Sequence, residues 1–290
     1  HPDVGTGAGA EPGRCASPAP RKGGAILTGT CLGSTLLGLF HRNPSSDGAR
    51  TKGAALPLFT ILTLFPDALE AYLDVGVVGT ALHKGLLDVH CVDFRDWTRD
   101  RHRTVDDRPF GGGPGMVLKP EPVVECVEWL EAKYGTHRRL VLDPAGRPFR
   151  QADAEALANE PRTLLMCGRY EGFDARIYAE LDLEPVSIGD FVLAGGELAA
   201  LTIVEATARL VPGVLGDARS AVEDSFADGE TVDHEHYTRP RVWRGREVPD
   251  VLLQGDHQRI AAWRAAQAAE RTKARGDADR ATPSKPGRNP

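Results

Sequence analysis

Two neighbouring stretches of the 290-residue chain decide its fold: TLLMCGRYEG (163–172) and IGDFVLAGGELAALTIVEATARLV (188–211). The first begins with a short apolar run, Thr163–Cys167, which is typical of a buried strand, and it ends in a loop with two glycines. The second carries another glycine-rich loop and then an apolar run, Gly196–Val211, that is long enough for a helix. Strand, glycine loop and helix in this order are typical of α/β folds with a parallel sheet.

The sequence on the N-terminal side continues this alternation of strands and helices. Apolar patterns and turn residues predict strands at Leu58–Phe65, Leu86–Phe94 and Arg139–Leu142. They predict helices at Asp67–Leu73, Val123–Tyr134 and Gln151–Ala158. We therefore expect an α/β fold with a mainly parallel sheet that helices cover on both faces.

Changes in composition divide the chain into five segments. Residues 1–56 are rich in Gly, Pro, Ser and Ala, and we expect a disordered extension or a mis-assigned start there. Its apolar part, Ile26–Phe40, resembles a signal peptide only faintly, because Gly and Thr interrupt it and no A-x-A cleavage site follows. The other four segments are the α/β domain at 57–215, a flexible linker at 216–232, a small, mostly helical domain at 233–275 and a disordered tail at 276–290.

Charge is distributed unevenly along the chain. With 35 Lys and Arg against 41 Asp and Glu, the formal net charge of −6 excludes a uniformly basic nucleic-acid binder. By segment, the net charge is +3 for residues 1–56, −14 for 57–240 and +5 for 241–290. Contact with a nucleic acid would therefore fall to local arginine clusters and to the basic C-terminal end.

Two further classes are excluded by composition. No run of 18 apolar residues lacks a Gly or polar break, so no membrane-spanning helix is predicted. The five cysteines have no CxxC spacing and no nearby His, so neither a zinc site nor a disulfide framework is predicted. Unpaired cysteines favour a reducing compartment, and we expect a cytoplasmic protein.

Four loops carry glycines at points where a strand gives way to a helix. They lie at 111–115, 168–172, 189 and 195–197. Each alone is typical of a tight turn, but three within 30 residues favour a small-molecule pocket lined by backbone. No Gly-Lys-Ser/Thr follows the first loop, which excludes a P-loop, and no GxGxxG follows a strand, which argues against a Rossmann-type site.

Seven motifs follow one another along the chain in the order of a known family. The chain resembles bacterial tRNA (guanine-N1) methyltransferases of the TrmD type, in the SPOUT superfamily, from about residue 58 to about residue 273. The motifs are DDRPFGGGPGM (106–116), LVLDPAGRPF (140–149), CGRYEGFDARI (167–177), SIGDFVLAGGELAA (187–200), RLVPGVLG (209–216), EDSFADG (223–229) and HYTRPRVW (236–243).

The resemblance implies a fold, a methyl donor and partners. It implies a SPOUT-type sheet with a deep trefoil knot, which is an exception to the general absence of knots. It implies a homodimer with composite active sites, tRNA as the substrate, and S-adenosyl-L-methionine held in the knot; the family is also associated with Mg²⁺. The implied donor contacts are Leu142, Pro144, Gly168, Tyr170, Glu171, Ile188, Gly189, Leu193, Gly195 and Gly196.

The resemblance also implies roles in catalysis for Asp224, Arg209 and Glu171. Asp224 matches the general base that removes the guanine N1 proton, and Arg209 matches the cation that stabilises charge on the guanine oxygen. Because an ordinary Asp has a pKa of about 3.9, it needs either a raised pKa or a more acidic substrate to act as this base. From the residues alone, Asp224 is one acid in a polar linker and Arg209 a favourable cation in the last turn of a helix.

Clusters of cations indicate where RNA could bind. Arg101, His102 and Arg103 lie in a loop that also holds four acids, so ion pairing within the loop and RNA contact are both open; the resemblance favours RNA. Arg239, Arg241 and Arg244 accompany aromatic residues that could stack on unpaired bases. The run His234–His236 could suggest a metal, but it is more typical of a solvated loop, and no metal ligands are predicted.

These patterns lead to one principal hypothesis and two rivals. The principal hypothesis is methylation of N1 of guanosine-37, just 3′ of the anticodon, with S-adenosyl-L-methionine as donor. The rivals are a knotted methyltransferase that acts on another RNA base and a catalytically inactive RNA-binding module. Intact Glu171, Arg209 and Asp224 argue against the inactive module.

Overall fold

The computed structural model describes residues 27–28, 56–217 and 224–281, and the structural statements below concern these residues. We expect disorder for residues 1–26, 29–55 and 282–290 and flexibility for residues 218–223. These residues lie outside the described ones.

A six-stranded sheet forms the centre of the molecule. In chain order the strands are β1 Leu27–Thr28, β2 Leu58–Thr63, β3 Asp88–Asp93, β4 Asp106–Asp107, β5 Val117–Leu118, β6 Arg138–Pro148, β7 Arg162–Cys167, β8 Glu184–Ser187, β9 Val242–Trp243 and β10 Arg246–Glu247. Six of these strands form the central sheet, in the order β1-β3-β2-β7-β6-β8. Each pair of neighbouring strands in it is parallel, except that the edge strand β1 runs antiparallel to β3. The expected α/β fold with a mainly parallel sheet is thus confirmed. Leu27 and Thr28, which form β1, lie in the segment 1–56 for which we expect disorder.

Helices lie on both sides of this sheet, as the sequence predicts. They are α1 Asp67–Leu73, α2 Gly76–His83, α3 Pro120–Tyr134, α4 Gln151–Ala158, α5 Ala175–Glu180, α6 Glu197–Ala208 and α7 His257–Ala281, with short 3-10 helices at Phe94–Trp97 and Asp250–Leu253. None of the helices in the described ranges is both long and apolar enough to cross a membrane.

The strands bury alternate side chains against two separate cores. On β7, Leu165 packs with α1, α2, α4 and α6 on one face, whereas Leu164 and Met166 pack with α3 and α5 on the other. This two-residue period is that of a strand covered on both faces, and it explains why β7 reads as a continuous apolar run.

Several elements of the α/β domain escape sequence prediction, among them α2, α5, β8 and the two-residue strands β4 and β5. The strand β8 has four residues and includes a proline, and α5 has only six residues, so neither gives a clear periodic pattern. Strand β6 extends to Pro148, beyond its predicted end at Leu142, because it pairs with β8 again after a shift in register.

The C-terminal region begins irregularly and ends in a long helix. Residues 233–256 form turns, the two-residue pair β9–β10 and one 3-10 helix before α7 begins. Helix α7 continues to Ala281, past residue 275, where the sequence puts the start of a disordered tail.

Candidate active site

The ten residues predicted to contact a methyl donor line one cavity. They come from three loops that follow β7, β8 and the first part of β6, which are neighbours in the sheet. The cavity has a volume of about 230 Å³ and also includes Asp143, Arg169 and Phe173 in its wall. We call it the donor cavity; it lies at the carboxyl ends of parallel strands, where such folds bind ligands.

Close backbone packing holds the loops of the donor cavity together. The Gly196 amide donates to the Gly168 carbonyl at 3.1 Å, and Arg169 pairs with Gly195 as an isolated bridge. A Cβ atom at Gly196 would lie 2.8 Å from the Cα of Cys167, so only glycine lets this loop lie against the end of β7.

A buried carboxylate that sequence reasoning missed connects the same loops to β2. Glu197 is 6% exposed; it accepts a hydrogen bond from the Thr63 hydroxyl at 2.8 Å and forms an ion pair with Arg169 at 3.0 Å. The Arg169 guanidinium also lies over the ring of Phe65, 4.5 Å from its centroid. The available signal was a charged residue in the first turn of an otherwise apolar helix.

Glu171 lies between the donor cavity and the glycine loop at 111–115. Its amide donates to the Met116 carbonyl at 3.0 Å. Gly115 has a φ of +87°, and a Cβ there would lie within 2.3 Å of the Glu171 carboxylate, so glycine is required for this contact. Glu171 and Asp143 give the cavity wall two acidic residues, which suit a cationic ligand.

Arg209 and Asp224 meet in a second cavity. The Arg209 guanidinium donates to Asp224 Oδ2 at 2.5 Å, and their side chains are 41% and 37% exposed. This cavity, of about 690 Å³, lies between the ends of α4 and α6 and the residues that follow Asp224. We call it the base cavity; none of its described lining residues lines the donor cavity.

Comparison with known proteins identifies the family of this chain. The model of the family described as tRNA (Guanine-1)-methyltransferase TrmD matches residues 58–278. The chain belongs to the TrmD family. It is 51% identical over 217 residues to a tRNA (guanine-N(1)-)-methyltransferase of Rhodopirellula baltica, covering 74% of this chain and 90% of the relative. Proteins with the same name from Frankia alni and Thermobifida fusca are 52% and 50% identical, covering 76% and 73% of this chain and 88% and 84% of the relatives.

In this TrmD-family chain, the loop that holds Arg101, His102 and Arg103 forms some ion pairs with its own acidic residues. Arg103 contacts Asp96 and lies 3.4 Å from Asp93, so part of its charge is already neutralised. The backbone amide of His102 donates to Asp100, and the side chains of Arg101 and His102 face solvent. Of the two interpretations of the loop, ion pairing holds for Arg103, while Arg101 and His102 present an exposed surface.

The C-terminal arginines are exposed. Arg241 pairs with Asp250 at 3.1 Å, and Arg244 lies over the Trp243 ring, 4.8 Å from its centroid. Arg239 precedes Pro240 in the same exposed stretch. These side chains form a surface of cations and one indole, which is the chemistry that RNA-binding proteins use.

The run His234–His236 lies in a loop in which Glu235 and His236 are exposed and His234 is largely covered. The His234 side chain is only 16% exposed, and both histidines contact Asp233. Within the described ranges, Asp233, His234 and His236 are the one group of three His, Cys, Asp or Glu side chains that could share a metal ion. Two imidazoles are poor ligands for Mg²⁺, which prefers oxygen, so the described residues do not form a Mg²⁺ cage and no catalytic step is assigned to that ion.

Proposed function

We propose that this chain transfers the methyl group of S-adenosyl-L-methionine to N1 of guanosine-37 in tRNA. The observation that carries this proposal is the donor cavity, because ten residues from separate family motifs line it together. In the reaction the sulfonium–methyl bond breaks, the N1–methyl bond forms, and the N1 proton leaves with a base. The donor is already activated, so the protein has to align the two reactants and remove this proton.

The base cavity supplies the groups for proton removal in this proposal. Asp224 accepts the N1 proton, and Arg209 stabilises the negative charge that grows on the neighbouring guanine oxygen. Direct contact between the two side chains supports this division of roles, because one guanidinium can orient the carboxylate and still offer further N–H donors.

The separation of the two cavities supports a homodimer with composite active sites. Gly196 and Arg209 flank α6 at opposite ends, and its 12 residues span about 18 Å, so a donor in one cavity would need Asp224 and Arg209 from a second copy of the chain. Exposed apolar side chains beside the donor cavity suit such a contact; Phe191, Val192 and Leu198 are 54%, 83% and 65% exposed. A two-fold symmetric dimer would form two such sites at once.

The remaining elements of the proposal follow from the same family. The deep trefoil knot would involve the loops of the donor cavity, and the Gly196–Cys167 packing supports so close a passage of the chain. Bound tRNA would contact the exposed Arg101, His102, Arg239, Arg241 and Arg244, with Arg103 joining on release from its acids. A tRNA substrate also supports a cytoplasmic location.

Transfer of labelled methyl groups to tRNA transcripts tests this function. A transcript with guanosine at positions 36 and 37 should accept label at N1 of guanosine-37, and a matched transcript with adenosine at 37 should not. Absence of label from the first transcript, or equal label in both, would contradict the proposal.

A further inference from the structure

We propose that Asp233, His234 and His236 form a binding site for a borderline divalent cation of the Zn²⁺ type. This inference is independent of methyl transfer, and its test measures metal binding alone. The three residues lie at the start of the C-terminal region, after Asp224, and His236 is the first residue of the motif HYTRPRVW (236–243).

The ligand atoms of the three residues already converge. His234 Nδ1 lies 2.6 Å from Asp233 Oδ1, and His236 Nε2 lies 2.9 Å from Asp233 Oδ2. All the ligand atoms fall within 4.8 Å of one another. Since Zn²⁺ bonds to N and O are about 2.0–2.2 Å long, two ligands of a tetrahedral ion lie about 3.3–3.6 Å apart, and side-chain movements of about 1 Å complete the set.

Contacts from two other segments fix the backbone of the carboxylate residue. The amide of Asp233 donates to the Ser225 hydroxyl at 2.9 Å, and its carbonyl accepts from Arg271 on α7 at 2.5 Å. The two imidazole rings lie beside each other, with centroids 4.4 Å apart. The His234 amide also donates to Asp233 Oδ1 at 2.6 Å, so the carboxylate is held in position before any ion arrives, which lowers the entropy cost of binding.

Exposure of the two histidines leaves one side of the site open. The His234 side chain is 16% exposed and lies inside, whereas that of His236 is 71% exposed. Two imidazoles and one carboxylate with an open side are the donor set of a three-ligand Zn²⁺ site, in which water takes the fourth position. A bound ion would tie together the residues next to Asp224 and the start of the exposed arginine surface.

Without metal, the same geometry is explained by two imidazoles that each hydrogen-bond to Asp233. The two explanations differ in the affinity for metal. Loss of a supporting group outside the ligand set alone costs about 10–100-fold in metal affinity, so loss of a ligand should cost at least as much. Because His236 is exposed, its replacement should leave the fold intact.

Titration of chelator-treated full-length protein with Co²⁺, followed by displacement with Zn²⁺, tests the site. Co²⁺ reports the ligand field by its visible absorption, and the variants are His236→Ala and His234→Gln. The control is His83→Ala, which removes a histidine that pairs with a single acid, Asp74, at 3.5 Å. Thermal unfolding without metal checks that every variant is folded.

We expect wild type and His83→Ala to bind one Co²⁺ per chain with a tetrahedral spectrum and to gain thermal stability with Zn²⁺. Both site variants should lose about tenfold or more in affinity together with the gain in stability. No binding by wild type, or equal affinity in folded His236→Ala and wild type, would overturn the site. Either result leaves the proposed methyl transfer untouched.

Discussion

At the scale of single residues, the site depends on contacts that join distant parts of the sequence. Asp224 lies in a polar stretch that gives no local sign of function, and its contact with Arg209 gives it a specific setting. Family motifs pointed to both residues and to ten of the residues that line the donor cavity. They did not predict Glu197, or the contact of His234 with Asp233, because a side-chain contact made by the fold leaves no pattern in sequence spacing.

Replacement of Asp224 with Asn tests its role as the base. An amide keeps the shape of the side chain but cannot accept the N1 proton, so we expect turnover to fall about 10²–10⁴-fold while donor affinity stays the same. Single-turnover rates and calorimetric donor binding measure the two effects. Glu230→Gln removes a nearby exposed acid and should leave both unchanged; near-normal turnover of Asp224→Asn would remove Asp224 as the base.

At the scale of elements, apolar runs predict the strands and helices that the cores bury most completely. Strand β2 lies close to its predicted bounds because five of its six side chains are buried, and helix α1 does because Pro66 marks its start. The strand β8 could not be predicted, since its pairing with β6 depends on a register shift that only the folded chain shows. That pairing nevertheless completes the wall of the donor cavity.

The contacts of Glu197 with β2 and the loop after β7 give a prediction about donor binding. Glu197→Ala leaves Arg169 without its buried partner, which should destabilise the fold by about 3 kcal/mol and weaken donor binding by about tenfold. Glu197→Gln keeps an acceptor for the Thr63 hydroxyl, so it should restore part of the affinity. Urea unfolding and donor titration separate the effects; unchanged donor affinity in a destabilised Glu197→Ala would show that Glu197 only supports the fold.

At the scale of the whole molecule, two buried histidines make stability depend on pH. Burial, the largest cause, lowers the pKa of both His90 and His137 from the ordinary value of 6.5. His90 packs against Tyr134, with ring centroids 5.2 Å apart, and His137 contacts the Thr60 hydroxyl. Asp88 raises the pKa of His90 and Glu131 raises that of His137, but burial outweighs both.

The sign of this effect follows from proton uptake. Below a pH of about 6.5 the unfolded chain binds protons at these histidines and the folded chain does not, so stability decreases as pH falls from about 7.5 to about 5.5. Urea unfolding across this range measures the decrease, and His90→Gln should make it shallower. A free energy of unfolding that is flat, or that rises toward pH 5.5, would contradict this prediction.

Charge at the scale of the molecule is consistent with a local RNA-binding surface. The net charge of −6 combines an acidic body with a basic end at 241–290, and the arginines proposed to contact RNA lie at or just before that end and on one loop. The sequence could predict this division because charge is counted residue by residue. The separation of the donor and base cavities could not be read from charge or motifs, because it depends on how α4, α6 and the C-terminal residues pack.

Mixed dimers test the central claim, a methyl-transfer site composed from two chains, most directly. One variant, Ile188→Trp, fills the donor cavity, and the other, Asp224→Asn, lacks the base; each alone should be inactive. After equal amounts are unfolded and refolded together, half of the dimers combine both variants. In each mixed dimer one of the two composite sites is intact, because it takes its donor cavity from one variant and its Asp224 from the other. We therefore expect about a quarter of wild-type methylation at N1 of guanosine-37. Activity no higher than that of the separate variants, once mixed dimers have formed, would contradict the account.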